Sequence, residues 1–446
     1  MCAGHEKKRS VEIESIASLA KTPHPDVILA DAMDVSDEPE LLTTETVVEY
    51  VKELLANKPN LPLDLSAALV AREIGDGNLN YAWCVSEPGD ESKAVFVKQA
   101  PGFIKCLGAD FKLGAERLLV ESDVLAEYTV AAPAFVPKMF ARDATRCVMV
   151  TEFLHGFELM RSGLTSGRCE PRMAADVARF MALTHARTHS KAKPSQGWSH
   201  LTNDSMCGIT AEFVFSKPLD PNDGTNRCSD GEVADAAANL RKDEKLCSEV
   251  ERLKVLFLSQ KECLVHGDLH TGSVMVPIDA ATAVDAAGAV MTAKVIDAEF
   301  AHFGCAAFDL GAFIANLLFA HIASDDDPTR RMSLERMLKD VWATYTSEVQ
   351  KAQPGIFASK AAMEELVDLT AGFCGCELIR RTIGAAHVDD IEKLEPAERK
   401  HKAEKTCLGV GTLLIKEGAK GLRGDRLLSK EFDAIVTLAT ALIKLK

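Results

Sequence analysis

Apolar and polar positions along the chain fall into two regimes. In the first, short runs alternate with turns. Val47, Val48, Val51 and Leu54-Leu55 recur at helical spacing, after Thr43 or Thr44 as a cap and before Pro59. Ala71–Ile74, Tyr81–Val85 and Ala94–Lys98 then read as three antiparallel strands. The glycine-bearing stretch Gly75-Asp76-Gly77-Asn78-Leu79-Asn80 separates the first two, and the turn Pro88-Gly89-Asp90 the last two. A helix over Gly114–Tyr128 and strands around Phe135–Ala141 and Cys147–Thr151 complete this part. After His155-Gly156 the period lengthens to that of a helix over Met173–His189 and Val233–Ser259, with a loop-like stretch at 216–232 between them. Leu264–Val276 and Lys294–Ile296 predict short strands, joined by an Ala/Gly/Asp stretch suited to a hairpin tip. Phe308 to Lys446 is dominated by helical pattern. Residues 1–40 are weakly patterned, with one helix near Val11–Leu19 and an acidic end, Asp31 to Glu40. The pattern predicts an α+β chain of two lobes: an extension at 1–40, a small β-rich N-lobe at 41–152 and a mostly helical C-lobe at 153–446.

Composition narrows the class. With 446 residues, 47% of them apolar, two cores are expected, because a single core stops growing at roughly 250–300 residues. A formal charge of -15 argues against a nucleic-acid partner. No run of about 20 apolar residues predicts a membrane span. No apolar h-region follows Lys7-Lys8-Arg9, so a secretory signal is not expected. The 13 cysteines are scattered and form no C-x-x-C pair, and Cys374-Gly375-Cys376 stands alone. Reduced thiols and a cytoplasmic enzyme working on a small molecule are the expectation.

The candidate chemistry is phosphoryl transfer. That reaction asks for a phosphate cover, a cation on the phosphates, metal-bound carboxylates and a group that accepts the hydroxyl proton. His266-Gly267-Asp268-Leu269-His270 lies between two apolar strands, which places Asp268 on a braced loop where its carboxylate can orient a hydroxyl and take its proton. Asp297 and Glu299 follow the apolar Val295-Ile296 with Ala298 between them; in an extended segment both point to one side, as two hard oxygen ligands for Mg²⁺. Gly75, Gly77, Asn78 and Asn80 form the expected phosphate cover. Lys98 closes Val95-Phe96-Val97 as the phosphate-binding lysine, and Glu121 is its expected partner, ahead of Glu116 and Asp123. Glu152, Phe153 and Leu154, after the strand Val148–Thr151, suit adenine. Arg380-Arg381 sit on a helix about 100° apart, so one salt bridge and one solvated side chain is the bland expectation, and phosphate or substrate binding the functional one.

Together these features have the outline of a two-lobed protein-kinase-like fold. HGDLHTGS (His266 to Ser273), EIGDGNLN (Glu73 to Asn80) and VIDAEF (Val295 to Phe300) resemble the 5-methylthioribose kinase family more fully than the protein kinases. Phe308 to Ala312, Ile314 to Leu318, and Ile379-Arg380-Arg381 with Gly384 to Val388 follow in the family's order, over roughly residues 43 to 440. The resemblance implies an aminoglycoside-phosphotransferase-like fold, ATP and Mg²⁺, and phosphorylation of the 1-hydroxyl of 5-methylthioribose in methionine salvage. It implies Asp268 as base against the sugar, and Asp297 and Glu299 on Mg²⁺. Ser273 stands where related small-molecule kinases carry Asn and would be a weaker third ligand. Lys98 and the loop asparagines would hold ATP, Arg380 and Arg381 would meet substrate or phosphate, and the assembly would be a homodimer. A kinase of another sugar, choline or an aminoglycoside on the same fold is the alternative, as is a catalytically dead binding module. The arginine pair disfavours a cationic acceptor.

Overall fold

Period-two alternation builds the first unit. The computed structural model describes residues 40–75, 79–106, 108–192, 198–279 and 290–418; Gly77, Asn78 and the helix expected near Val11–Leu19 lie outside them. Residues up to Pro133 with Pro137–His155 form one unit, and Ala134–Val136 with the chain from Gly156 onward form the other. In the first, helix α1 (Val47–Leu55) is followed by strands β1 (Val70–Glu73), β2 (Tyr81–Glu87) and β3 (Asp90–Gln99), helix α2 (Arg117–Ala131), and strands β4 (Met139–Asp143) and β5 (Val148–Glu152). The five strands make one antiparallel sheet in the order β1-β2-β3-β5-β4. Trp83, Val85, Val95, Val97, Val148 and Val150 fill one face and pack with Val47, Val51 and Leu55 of α1. Lys98 is out of phase with Val95 and Val97 and so leaves β3 on the other face.

Two local expectations shift here. The helix is capped at Thr46, without a side-chain bond, and the Thr43 hydroxyl instead closes the turn before it, accepting from the N–H groups of Glu45 and Thr46 at 3.2 and 3.3 Å. The strand expected from Phe135 begins only at Met139, because Pro133–Phe135 close a 3₁₀ turn and Pro137, lacking an N–H, has no place in the ladder.

The second unit is mostly helical. It opens with β6 (Phe157–Leu159), α3 (Met160–Thr165), α4 (Pro171–Thr188), α5 (Asp204–Thr210), α6 (Glu232–Arg241) and α7 (Glu244–Ser259). The single helix expected over Val233–Ser259 is two, because Asp243 turns extended and its carboxylate accepts from Leu246 N–H at 3.1 Å as the cap of α7. Strands β7 (Cys263–Val265), β8 (Val274–Pro277), β9 (Lys294–Val295) and β10 (His302–Gly304) form two small antiparallel sheets, β10-β7 and β6-β8-β9. Helices α8 (Ala306–Ile322), α9 (Pro328–Ala352), α10 (Lys360–Ile383), α11 (Asp389–Glu392) and α12 (Ala397–Glu417) follow.

Helix α8 is predominantly apolar on every face, and all 17 of its residues are buried, Asp309, Asn316 and His321 among them. It lies close against α10: a Cβ on Gly311 would stand 2.8 Å from Cys374 N and 2.9 Å from Thr370 O. Both are backbone atoms, so a side chain here has to part the helices. No helix among the described residues is long and apolar enough to cross a membrane. Gly311→Ala is expected to lower stability by about 1–3 kcal/mol through overpacking, read as a lower thermal or denaturant midpoint.

Candidate active site

The loop between β7 and β8 takes its shape from partners outside it. The N–H groups of His266 and Gly267 donate to the two oxygens of Asp309, at 2.7 and 3.0 Å. Asp309 is fully buried in the first turn of α8, and His185 Nε2 lies 3.3 Å from the same carboxylate. His185 Nδ1 in turn meets the Tyr345 hydroxyl at 3.1 Å. Burial pushes the Asp309 carboxyl up, but His185, His266 and the main-chain donors outweigh it and hold the group below its ordinary value. Gly267 has φ +80, and a Cβ there would stand 2.1 Å from the Phe300 carbonyl oxygen, so only glycine fits. His266 Nε2 donates to Ile296 O at 2.9 Å, and Ile296 N–H donates to Ser273 O at 3.0 Å. The loop and the segment after β9 therefore fix each other.

Within this frame Asp268 keeps 31% of its side chain exposed. His270 Nε2 stands 3.5 Å from one oxygen and Arg380 Nη2 3.7 Å from the other. Gly272 N–H donates to His270 Nδ1 at 2.9 Å, which leaves the ring proton on Nε2, facing Asp268. Burial alone would raise the Asp268 carboxyl; the charges of His270, Arg380 and Arg381 overcome it and hold the group well below the usual carboxylate range. Burial also lowers His270. Asp268 in turn favours the imidazolium, and the permanent cations Arg380 and Arg381 add to the hold on its ionised carboxylate. Ser273 Oγ donates to the Asp268 carbonyl at 3.1 Å, so this hydroxyl braces the loop.

Both arginines are organised by a residue the sequence reading passed over. Glu377 is 3% exposed and accepts from Arg380 at 2.5 and 3.0 Å and from Arg381 at 3.0 Å. Spacings of three and four bring both guanidinium groups back over one carboxylate. The expectation of one paired and one solvated arginine is thus corrected: their side chains are 12% and 10% exposed. Asp309, quoted within Phe308 to Ala312 but given no role, was a readable signal, because an acid in an apolar helical run is stabilised only by a buried partner.

Asp297 and Glu299 do not lie in an extended segment. Asp297 takes the left-handed conformation at φ +69, and Ala298–Phe300 is a 3₁₀ turn. The i, i+2 argument for one shared face is therefore corrected. Asp297 is exposed, while Ala298 and Glu299 are buried. Asn203 Nδ2 secures the turn by donating to Glu299 O and Ala301 O, each at 2.9 Å. Among the described residues no group of three or more His, Cys, Asp or Glu side chains is placed to hold a metal. Two hard carboxylates in one turn still fit Mg²⁺, which takes one or two carboxylates and completes its octahedron with phosphate oxygens and water.

In the first unit, Lys98 Nζ and Glu121 Oε2 form a buried pair at 2.7 Å. Of the competing acids, Asp123 pairs with Arg142, and Glu116 lies exposed at the start of α2. Gly75 sits in a turn, whereas Asn80 is buried with Oδ1 accepting from Arg117 at 2.8 and 3.2 Å. Glu152 ends β5 with its carboxylate on Lys138 N–H at 3.2 Å. Phe153 O accepts from His155 N–H at 2.8 Å, and Leu154 is half-buried beside them.

Comparison with known proteins adds to this geometry. Residues 71–346 match the phosphotransferase enzyme family. A methylthioribose kinase of Geobacillus thermodenitrificans is 32% identical over 79% of this chain and 88% of its own length. One of Bacillus velezensis is 34% identical over 83% and 92%. A choline kinase of known structure from Cryptosporidium parvum aligns over 90% of this chain and 96% of its own at 13% identity, with a TM-score of 0.45.

Asp309→Ala removes the acceptor of two buried N–H groups and the partner of His185. A loss of about 3–5 kcal/mol in folding stability is expected. Asp309→Asn, which keeps one carbonyl oxygen, should lose less; equal midpoints for wild type and Asp309→Ala in denaturant would show that the loop does not depend on this carboxylate.

Proposed function

The chain belongs to the phosphotransferase enzyme family and, within it, to the methylthioribose kinases, and from that premise we propose that it transfers the γ-phosphoryl group of ATP to the 1-hydroxyl of 5-methylthioribose, a step of methionine salvage. The observation that carries this reading is the single charged wall formed by Asp268, Arg380, Arg381 and Glu377 in the second unit. It joins a group that can receive a hydroxyl proton to cations that can meet the charge of a phosphoryl group in flight.

Each residue then has a defined task. Asp268 orients the 1-hydroxyl and takes its proton. A carboxylate held so acidic is a weak base, which suits a loose transition state in which the proton leaves late. Arg380, steadied on Glu377, faces the oxygens of the transferring group, with Arg381 beside it. Lys98, fixed by Glu121, binds the α- and β-phosphates. Gly75, Gly77 and Asn78 cover the phosphates, Asn80 acts through its anchorage on Arg117, and Glu152, Phe153 and Leu154 take the adenine. Asp297 and Glu299 would hold Mg²⁺, with Ser273 beside them; when bound, the ion neutralises the phosphate oxygens.

Two further parts belong to the proposal. Assembly as a homodimer rests on the family resemblance. A cytoplasmic location draws support from the cysteines, of which the 12 described are all free thiols.

Phosphorus NMR of a reaction with ATP, Mg²⁺ and 5-methylthioribose should show the sugar 1-phosphate. Turnover of another hydroxyl acceptor with none of 5-methylthioribose would sink the substrate assignment. Asp268→Ala should lower kcat by a factor of about 10³ or more while leaving ATP affinity within a few-fold; near-normal turnover would remove Asp268 from its role.

A pH profile tests the electrostatics. Because His270 and then the two arginines depress the Asp268 carboxyl, the wild type keeps its base ionised below the ordinary carboxylate value of about 4. In Arg380→Gln the carboxyl rises, so the acid limb of kcat/KM should move to higher pH. An unmoved limb would mean that Arg380 does not set the ionisation of Asp268.

A further inference from the structure

Arg161 has no part in the roles given above, yet the fold places it against the loop of Asp268. It is the second residue of α3, and its N–H donates to Thr271 O at 3.0 Å. Its side chain runs along the loop: Nη1 lies 3.2 Å from the point where a Cβ on Gly272 would stand, and His270 crowds the same point from 2.8 Å. Nη2 donates to Asn316 Oδ1 at 3.0 Å, and Asn316 Nδ2 donates to Ala312 O at 2.9 Å, which fixes the oxygen towards Arg161. Behind the guanidinium lies Asp390, whose side chain is 2% exposed. Arg161 Nε and Asp390 Oδ2 are 3.9 Å apart, beyond hydrogen-bond reach. Arg161 Nε and Asp390 Oδ1 are both buried without a hydrogen-bond partner.

A guanidinium held in this way is a built donor. Asn316 fixes one edge, Asp390 supplies a buried counter-charge, and the side chain remains 20% exposed beside the acceptor loop. Its five N–H groups are donors only. They match an oxygen-rich neutral acceptor and reject an ammonium, as Arg380 and Arg381 do beside Asp268. Burial and then the charge of Arg381 press down on Arg161's hold on its proton, consistent with cations gathered around one space.

We propose that Arg161 is a specificity-determining residue for the acceptor, donating to a ring hydroxyl other than the one phosphorylated, with Asp390 as the positioning residue behind it. The proposal rests on the sugar-kinase reading above and deepens it. A donor site built for a hydroxyl penalises an acceptor that lacks one, because the buried donor is then left unpaired.

The test uses the full-length chain, ATP and Mg²⁺, with 5-methylthioribose and its 2-deoxy and 3-deoxy analogues. The wild type should lose about 100-fold or more in kcat/KM on one of the two analogues. Arg161→Gln should lose a similar factor on the parent sugar, mainly through the acceptor KM, with the KM for ATP unchanged, and should no longer separate parent from analogue. Asp390→Asn should raise the acceptor KM by about tenfold with kcat little changed. A merely structural role would lower kcat, raise both KM terms together and leave the discrimination intact.

Retained discrimination in Arg161→Gln overturns the proposal. So does a wild type that uses both deoxy analogues as well as the parent, a result that needs no variant to fold. A wild type that phosphorylates a different polyol and not 5-methylthioribose sinks the substrate assignment instead, and the deoxy series of that polyol then decides Arg161.

Discussion

The carboxylate of Asp309, gripping two consecutive main-chain N–H groups of the loop that carries Asp268, is the interaction on which the site depends. A buried carboxylate is costly unless it is fully partnered. Here it has both N–H groups and His185, which Tyr345 orients from behind. Each partner specifies the others. The grip sets the backbone of His266 and Gly267, and Gly267 passes so close to Phe300 O that no side chain fits. His266 then reaches Ile296 O, and the acceptor loop and the Asp297–Glu299 turn become one piece. The acid sits on α8, the most buried helix described, so the loop inherits the rigidity of the core.

Charge balance governs the next layer. Arg380 and Arg381 would repel each other if left alone, and burial makes Arg380 harder to hold protonated. Glu377 resolves this by placing one buried anion under both. The arrangement leaves Arg380 near Asp268 while most of its hydrogen bonding goes to Glu377. The Asp268 carboxylate is thereby kept ionised and still partly open. The same logic recurs at Arg161 and Asp390, where a buried acid stands behind an arginine at the edge of the loop. Three arginines and three acids thus balance formally around the loop.

Much of this was legible from local pattern. Asp268 could be singled out because its loop lies between two apolar runs that become β7 and β8. Lys98 could be placed because strand parity turns it away from Val95 and Val97. Glu121 could be named only with rivals, since three acids on or beside one helix have similar local signatures and only the packed distance of 2.7 Å separates them. Other features were illegible for stated reasons. The turn at Ala298–Phe300 depends on a left-handed Asp297, which nothing in the apolar pattern marks. The break between α6 and α7 depends on the Asp243 cap, which is hidden inside an unbroken helical period.

The sequence by itself determined part of the inventory: the strands of the first unit, the loop that carries Asp268 between two apolar runs, and the strand that carries Lys98. Those follow from spacing along the chain, because side chains two residues apart share a strand face and those three or four apart share a helix face. Tertiary structure alone decided the partnerships: Asp309 under the loop, Glu377 under both arginines, Asn316 and Asp390 around Arg161. Such contacts join residues far apart in the chain, or choose one of several local geometries, and what selects them is the cost of leaving a buried polar group unpaired once the core has closed.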